Sequence, residues 1–118
     1  MEKKQALVIC QKEGHRKLIC EYLSSLGIET TVAAFVTTAI AYLENREFDL
    51  IFVDGSLPTL GNSLQLVEDI RANRATVPII LMTGGELDTP PAGSKILRKP
   101  TDLDTFTTLV REFIPEEA

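Results

Sequence analysis

The residues of this chain best equipped for chemistry stand at the ends of apolar runs. Cys10 closes Ala6 to Cys10 (ALVIC) and is followed by Gln11 and Lys12. Asp54 closes Leu50 to Val53 (LIFV), Thr83 follows Val77 to Met82 (VPIILM), and Lys99-Pro100 follows the short run Ser94 to Leu97. A carboxylate, a hydroxyl and an ammonium on one edge would make an ion pair with a hydrogen-bond donor beside it. Taken singly, each has an ordinary role: Asp54 as a solvated turn residue, Thr83 as a cap, Lys99 as surface charge. A second pattern, Cys10-Gln-Lys-Glu-Gly-His-Arg16, separates a cysteine from an arginine by five residues. That spacing lets backbone amides and a guanidinium cradle a phosphate while a thiolate attacks it. Against it, the loop has only Gly14, puts Glu13 where an anion would sit, and lacks a hydroxyl after Arg16.

Whether these groups meet depends on the elements between them. ALVIC and LIFV are continuously apolar, as expected of strands buried on both faces of a parallel sheet. Leu18, Ile19, Tyr22, Leu23 and Leu26 recur at helical spacing, and Gly27 follows as a stop. Thr30 to Phe35 reads as a second strand and Thr37 to Asn45 as a second helix. Leu64, Leu66, Val67 and Ile70 mark a third helix after Pro58 and Gly61, and Asp102 to Ile114 a last one, with Phe106 and Val110 facing inward. Alternating strands and helices predict an α/β, doubly wound parallel sheet, whose ligands bind beyond the carboxyl ends of the strands. That edge is where Cys10, Asp54, Thr83 and Lys99 fall.

Composition narrows the functions. The chain has 118 residues, 44% of them hydrophobic and 25% charged, without repeat or linker, so one domain over 1–118 is expected. Twelve Lys and Arg against seventeen Asp and Glu leave a net charge of −5, which argues against a nucleic-acid partner. No apolar run is long enough to span a membrane and Met1 to Gln5 is charged, so no membrane association and a cytoplasmic location are expected. Cys10 and Cys20 make neither a disulfide framework nor a zinc site with the lone His15, and read as reduced thiols. Cys20 is expected to pack beside the first helix, and His15, at a helix start, is expected on the surface without a role.

In these strand-end residues and their order, the chain resembles the receiver domain of two-component response regulators over essentially its whole length. The resemblance implies a flavodoxin-like five-stranded sheet of order 2-1-3-4-5. It also implies that Asp54, in LIFVDGSLP, accepts a phosphoryl group from a histidine kinase, with Pro58 at the usual position four residues on. Thr83 and Lys99 would then bind the phosphoryl oxygens, Lys99 having first paired with Asp54. The physical logic agrees, because an acyl phosphate carries charge that a hydroxyl and an ammonium hold. The implied role is regulatory rather than enzymatic, with a histidine kinase or an effector protein as partner.

Two departures change the expectation. Receivers end the first strand with two acidic residues that bind Mg²⁺ with the phosphoacceptor; here Cys10 and Gln11 stand there. A thiol and a neutral amide are poor donors for a hard cation, leaving Asp54 and the Ser56 backbone as the remaining candidates. Weak or absent Mg²⁺ binding, and hence no cofactor, is expected. Lys12 and Glu13 are expected to be solvated. Three readings stay open: a degenerate receiver acting by protein contact, a receiver still phosphorylated on Asp54, and, through the Cys10 to Arg16 spacing, a likeness to low-molecular-weight tyrosine phosphatases.

The second departure is the segment between Thr83 and Ser94, which holds Gly84, Gly85, Pro90, Pro91 and Gly93. The family's fourth helix should be missing or much shortened there. Ile96 replaces the aromatic residue that usually reports phosphorylation. A missing helix should expose Ile79 to Met82, Ile96 and Leu97, with Leu87 beside them, and so favour a homodimer through the strand 4 and strand 5 face.

Overall fold

A computed structural model describes residues 3–74, 76–85, 87 and 89–116. The chain runs β1 (Gln5–Ile9), α1 (Glu13–Ser25), β2 (Glu29–Ala33), α2 (Val36–Asn45), β3 (Leu50–Asp54), α3 (Leu60–Asn73), β4 (Ile79–Thr83), β5 (Ser94–Arg98) and α4 (Leu103–Phe113). All strand pairs are parallel, in the order β2-β1-β3-β4-β5. This is the expected flavodoxin-like arrangement, with four helices among the described residues.

The apolar runs behave as their continuity requires. Alternate residues enter opposite faces of a sheet, so a strand covered on both sides is apolar throughout. Ala6, Val8, Leu50, Phe52, Ile80 and Met82 enter one core with Ile19 and Leu23 of α1 and Phe106 and Val110 of α4. Leu7, Ile9, Ile51, Val53, Ile79 and Leu81 enter a second core with Ala39 of α2 and Leu66, Val67 and Ile70 of α3. α3 starts at Thr59, whose side chain accepts from the Asn62 N–H, and α4 at Asp102, which accepts from the Thr105 N–H at 2.8 Å. The Thr105 N–H, together with the Thr105 hydroxyl that donates to Oδ2 at 3.0 Å, holds the exposed Asp102 carboxyl below its usual range.

β2 lies one to two residues earlier than its composition suggested. Pairing with β1 sets it, from Gln5 opposite Glu29 to Ile9 opposite Ala33, and Phe35 becomes the residue before α2, 57% exposed. β2 is an edge strand, so its side chains need not be apolar.

Between β4 and β5 no helix occurs among the described residues. Arg98 Nη2 donates to the Leu87 carbonyl at 2.9 Å, and Arg71 Nη2 donates to that of Gly93 at 2.5 Å. Gly93 has φ +77°, and a Cβ there would meet Arg71 Nε at 2.7 Å, so the clamp needs glycine. Losing the helix does not open the sheet, which corrects the expected apolar face. Ile79 to Met82 are fully buried and Leu97 is 2% exposed, while Ile96 and Leu87 are partly exposed. Leu87 and α3 close one side of β4, and Phe106 with Val110 the other. Among the described residues no helix is long and apolar enough to cross a membrane.

Candidate functional site

The carboxyl ends of β1, β3 and β4 and the residue after β5 gather the side chains singled out above. Asp54, the last residue of β3, is fully buried. Its neighbour Gly55 donates its N–H to the Met82 carbonyl at 2.7 Å, and a Cβ there would stand 2.9 Å from that oxygen. Glycine thus lets the loop leave the strand against β4. Thr83 pairs in register with Arg98, and its carbonyl accepts from the Lys99 N–H at 2.7 Å, so Lys99 starts just past the strand end. From there Lys99 Nζ reaches Asp54 Oδ1 at 2.5 Å, with the ammonium side chain 23% exposed. Burial on one side and water on the other make this pair stronger than a surface ion pair. Thr83 is buried, and its Oγ1 has no hydrogen-bond partner among the described residues.

The other oxygen of Asp54 belongs to Cys10. The thiol donates to Asp54 Oδ2 at 3.5 Å, with the Lys12 carbonyl also at 3.5 Å and His15 Nδ1 at 3.7 Å. Burial, the Asp54 charge and the hydrogen bond to it push the Cys10 pKa up to about 11, so it is a thiol at neutral pH. Arg16 Nη1 donates to the Cys10 and Gln11 carbonyls at 3.1 and 3.3 Å, closing the loop before α1. The environment is opposite to what a thiolate nucleophile needs, and the guanidinium is spent on backbone carbonyls.

Two positions read otherwise from sequence. His15 is half-buried rather than a surface residue: the first turn of α1 turns it onto Cys10, and its Nε2 is buried with no partner among the described residues. Burial, then the Lys99 charge, lower its pKa from 6.5. Ser63, on α3, carries no signal in the spacing; its hydroxyl donates to the Asp54 carbonyl at 2.6 Å and accepts from the Leu57 N–H at 3.1 Å, stapling the loop below the carboxylate. Gln11 is exposed, Ser56 half-buried, and Glu13 turns to Lys17 at 3.0 Å rather than to the site. Lys12 is exposed and Cys20 partly buried. Among the described residues no three His, Cys, Asp or Glu side chains are grouped to hold a metal ion.

Comparison with known proteins agrees with this geometry. The family model described as response regulator receiver domain matches residues 6–111. The response regulator protein PilR of Pseudomonas aeruginosa is 31% identical over 93% of this chain, which spans 26% of that protein. Sporulation initiation phosphotransferase F of Bacillus subtilis is 23% identical, with 98% of this chain and 97% of that protein aligned. In solved structures, a CheY-like receiver domain from Methylobacillus flagellatus superposes with a TM-score of 0.82 at 24% identity, covering 95% of this chain and 99% of that one. The NtrX receiver domain of Brucella abortus gives 0.83 at 23% identity over 95% and 99%. With sheet order, strand-end residues and a family match across nearly the whole chain in agreement, the protein belongs to the response regulator receiver domain family.

Proposed function

We propose that the chain, as one domain over 1–118, is a regulatory receiver module that works by contact with a protein partner, a histidine kinase or an effector. Asp54 is its phosphoacceptor position and Thr83 and Lys99 its phosphoryl-binding groups. It is a signalling element rather than an enzyme, and its place is the cytoplasm. It acts without tightly held Mg²⁺. The observation that carries this is the way Asp54 is held: ammonium on Oδ1 at 2.5 Å, thiol on Oδ2 at 3.5 Å.

Receivers in general bind Mg²⁺, so the donor set has to be weighed against that ion. A hard dication wants several oxygen ligands with net negative charge. Here Asp54 is balanced by Lys99, Cys10 offers sulfur, Gln11 faces solvent, and Ser56 has only neutral oxygens to offer. These residues do not fit Mg²⁺, and no step of the proposed function passes through it.

An NMR titration of the amides around Asp54 tests this. No saturable shift is expected up to millimolar Mg²⁺, and Cys10→Asp with Gln11→Asp should create one. Saturation of the native protein below a millimolar would overturn the reading. A site that still takes phosphate slowly is favoured by the Lys99–Asp54 contact, since the ammonium stands where a transferred anion would need it.

A further inference from the structure

Cys10 links Asp54 to His15 in a chain of polar groups, and the proposed function gives His15 no part. One S–H proton faces three acceptors: Asp54 Oδ2 at 3.5 Å, the Lys12 carbonyl at 3.5 Å and His15 Nδ1 at 3.7 Å. A carboxylate is a better acceptor than a neutral carbonyl, which favours Asp54 over Lys12. The imidazole settles the remaining choice. Its Nε2 is buried with no partner among the described residues, and a proton there would bury an unmet N–H donor. Placing the proton on Nδ1 leaves only a lone pair unmet, and turns His15 from a competing acceptor into a donor toward sulfur.

We propose that His15 and Cys10 are positioning residues in a relay of fixed polarity, in which Nδ1–H of His15 donates to Cys10 Sγ and the thiol S–H donates to Asp54 Oδ2. Burial and the nearby Lys99 ammonium disfavour the imidazolium and keep His15 in the neutral form the relay requires. Both carboxylate oxygens are then occupied. The contact to Lys99 is charge-assisted whereas a thiol is a weak donor, so Oδ2 is the oxygen released at lower cost.

The consequence for labelling rests on Asp54 being the phosphoacceptor. With acetyl phosphate as donor, Oδ2 forms the new bond to phosphorus while the bond to the acetate oxygen breaks. Acetate leaves with the electron pair, and the thiol keeps its proton. Cys10 therefore acts as a gate on Oδ2, and removing it should speed labelling about fivefold, the effect of one modest hydrogen bond.

Two measurements on the full chain test the relay. Long-range ¹H–¹⁵N correlation at neutral pH should show His15 protonated at Nδ1 alone, and Cys10→Ala should replace that signature with averaged shifts for both nitrogens. Protonation at Nε2 in the native protein, or an unchanged Nδ1 signature in Cys10→Ala, would overturn the relay. Intact-mass kinetics with acetyl phosphate should then show Cys10→Ala labelled about fivefold faster than the native chain. Equal rates would overturn the gate, while no label on either protein would count against the phosphoacceptor reading and leave the tautomer result to decide the relay.

Discussion

Lys99→Met is expected to destabilise the fold by about 3 kcal/mol at neutral pH, because it leaves the Asp54 carboxylate buried without its cation. Asp54 is fully buried and its Oδ1 has the ammonium 2.5 Å away. The loss lies at the low end of what breaking a buried pair costs, since Lys99 is 23% exposed and the Cys10 thiol still donates to Oδ2. Methionine keeps the apolar stem of lysine, so the effect reports charge rather than packing. Urea unfolding of the variant measures it. Adding Asp54→Asn to Lys99→Met removes the orphaned charge and should restore most of the stability. If the double variant is no more stable than the single one, the pair is not what Lys99 contributes.

Phe106→Ala should cost about 4 kcal/mol. Phe106 projects from α4 into the core shared with α1; it is fully buried, stacked on Phe52 at 5.4 Å between ring centroids, and tilted against Tyr22 at 5.1 Å. Removing the ring deletes contacts with both partners and leaves a cavity between helix and sheet that the close-packed strands cannot fill. Because α4 follows directly from Lys99-Pro100, the same change should loosen the lysine. The Tyr22 hydroxyl, which donates to the Thr101 carbonyl at 3.0 Å, ties that loop to α1 and should weaken with it. Thermal unfolding reads the stability, and broadening of the Thr101 and Lys99 amide signals reads the loosening. A loss under about 1 kcal/mol would mean that the core relaxes around the gap, contrary to the packing described.

How much of this was legible beforehand differs between strands, helices and loops. β1, β3 and β4 could be read from apolar runs because burial on both faces leaves few other compositions. β2 could not be bounded that way. It lies at the edge with Glu29 and Val32 exposed, and its limits follow from register with β1. Asp54, Thr83 and Lys99 were legible as a group because strand ends of a parallel sheet all open on one side. The contributions of His15 and Ser63 were not. Each lies on a helix, and whether its side chain reaches the sheet edge depends on the rotation and tilt of that helix, which spacing alone does not determine. The exposure expected for Ile79 to Met82 failed for a related reason. Leu87 lies in an aperiodic segment, and the arginine clamps that carry that segment over β4 leave no pattern along the chain.

We propose that this receiver balances Asp54 with Lys99 and Cys10 and does without a divalent cation. Intact-mass kinetics with acetyl phosphate, run with and without millimolar Mg²⁺, test it most directly. Slow, partial labelling at the same rate under both conditions, abolished by Asp54→Asn, is expected. Rapid, stoichiometric labelling that depends on Mg²⁺ would contradict it.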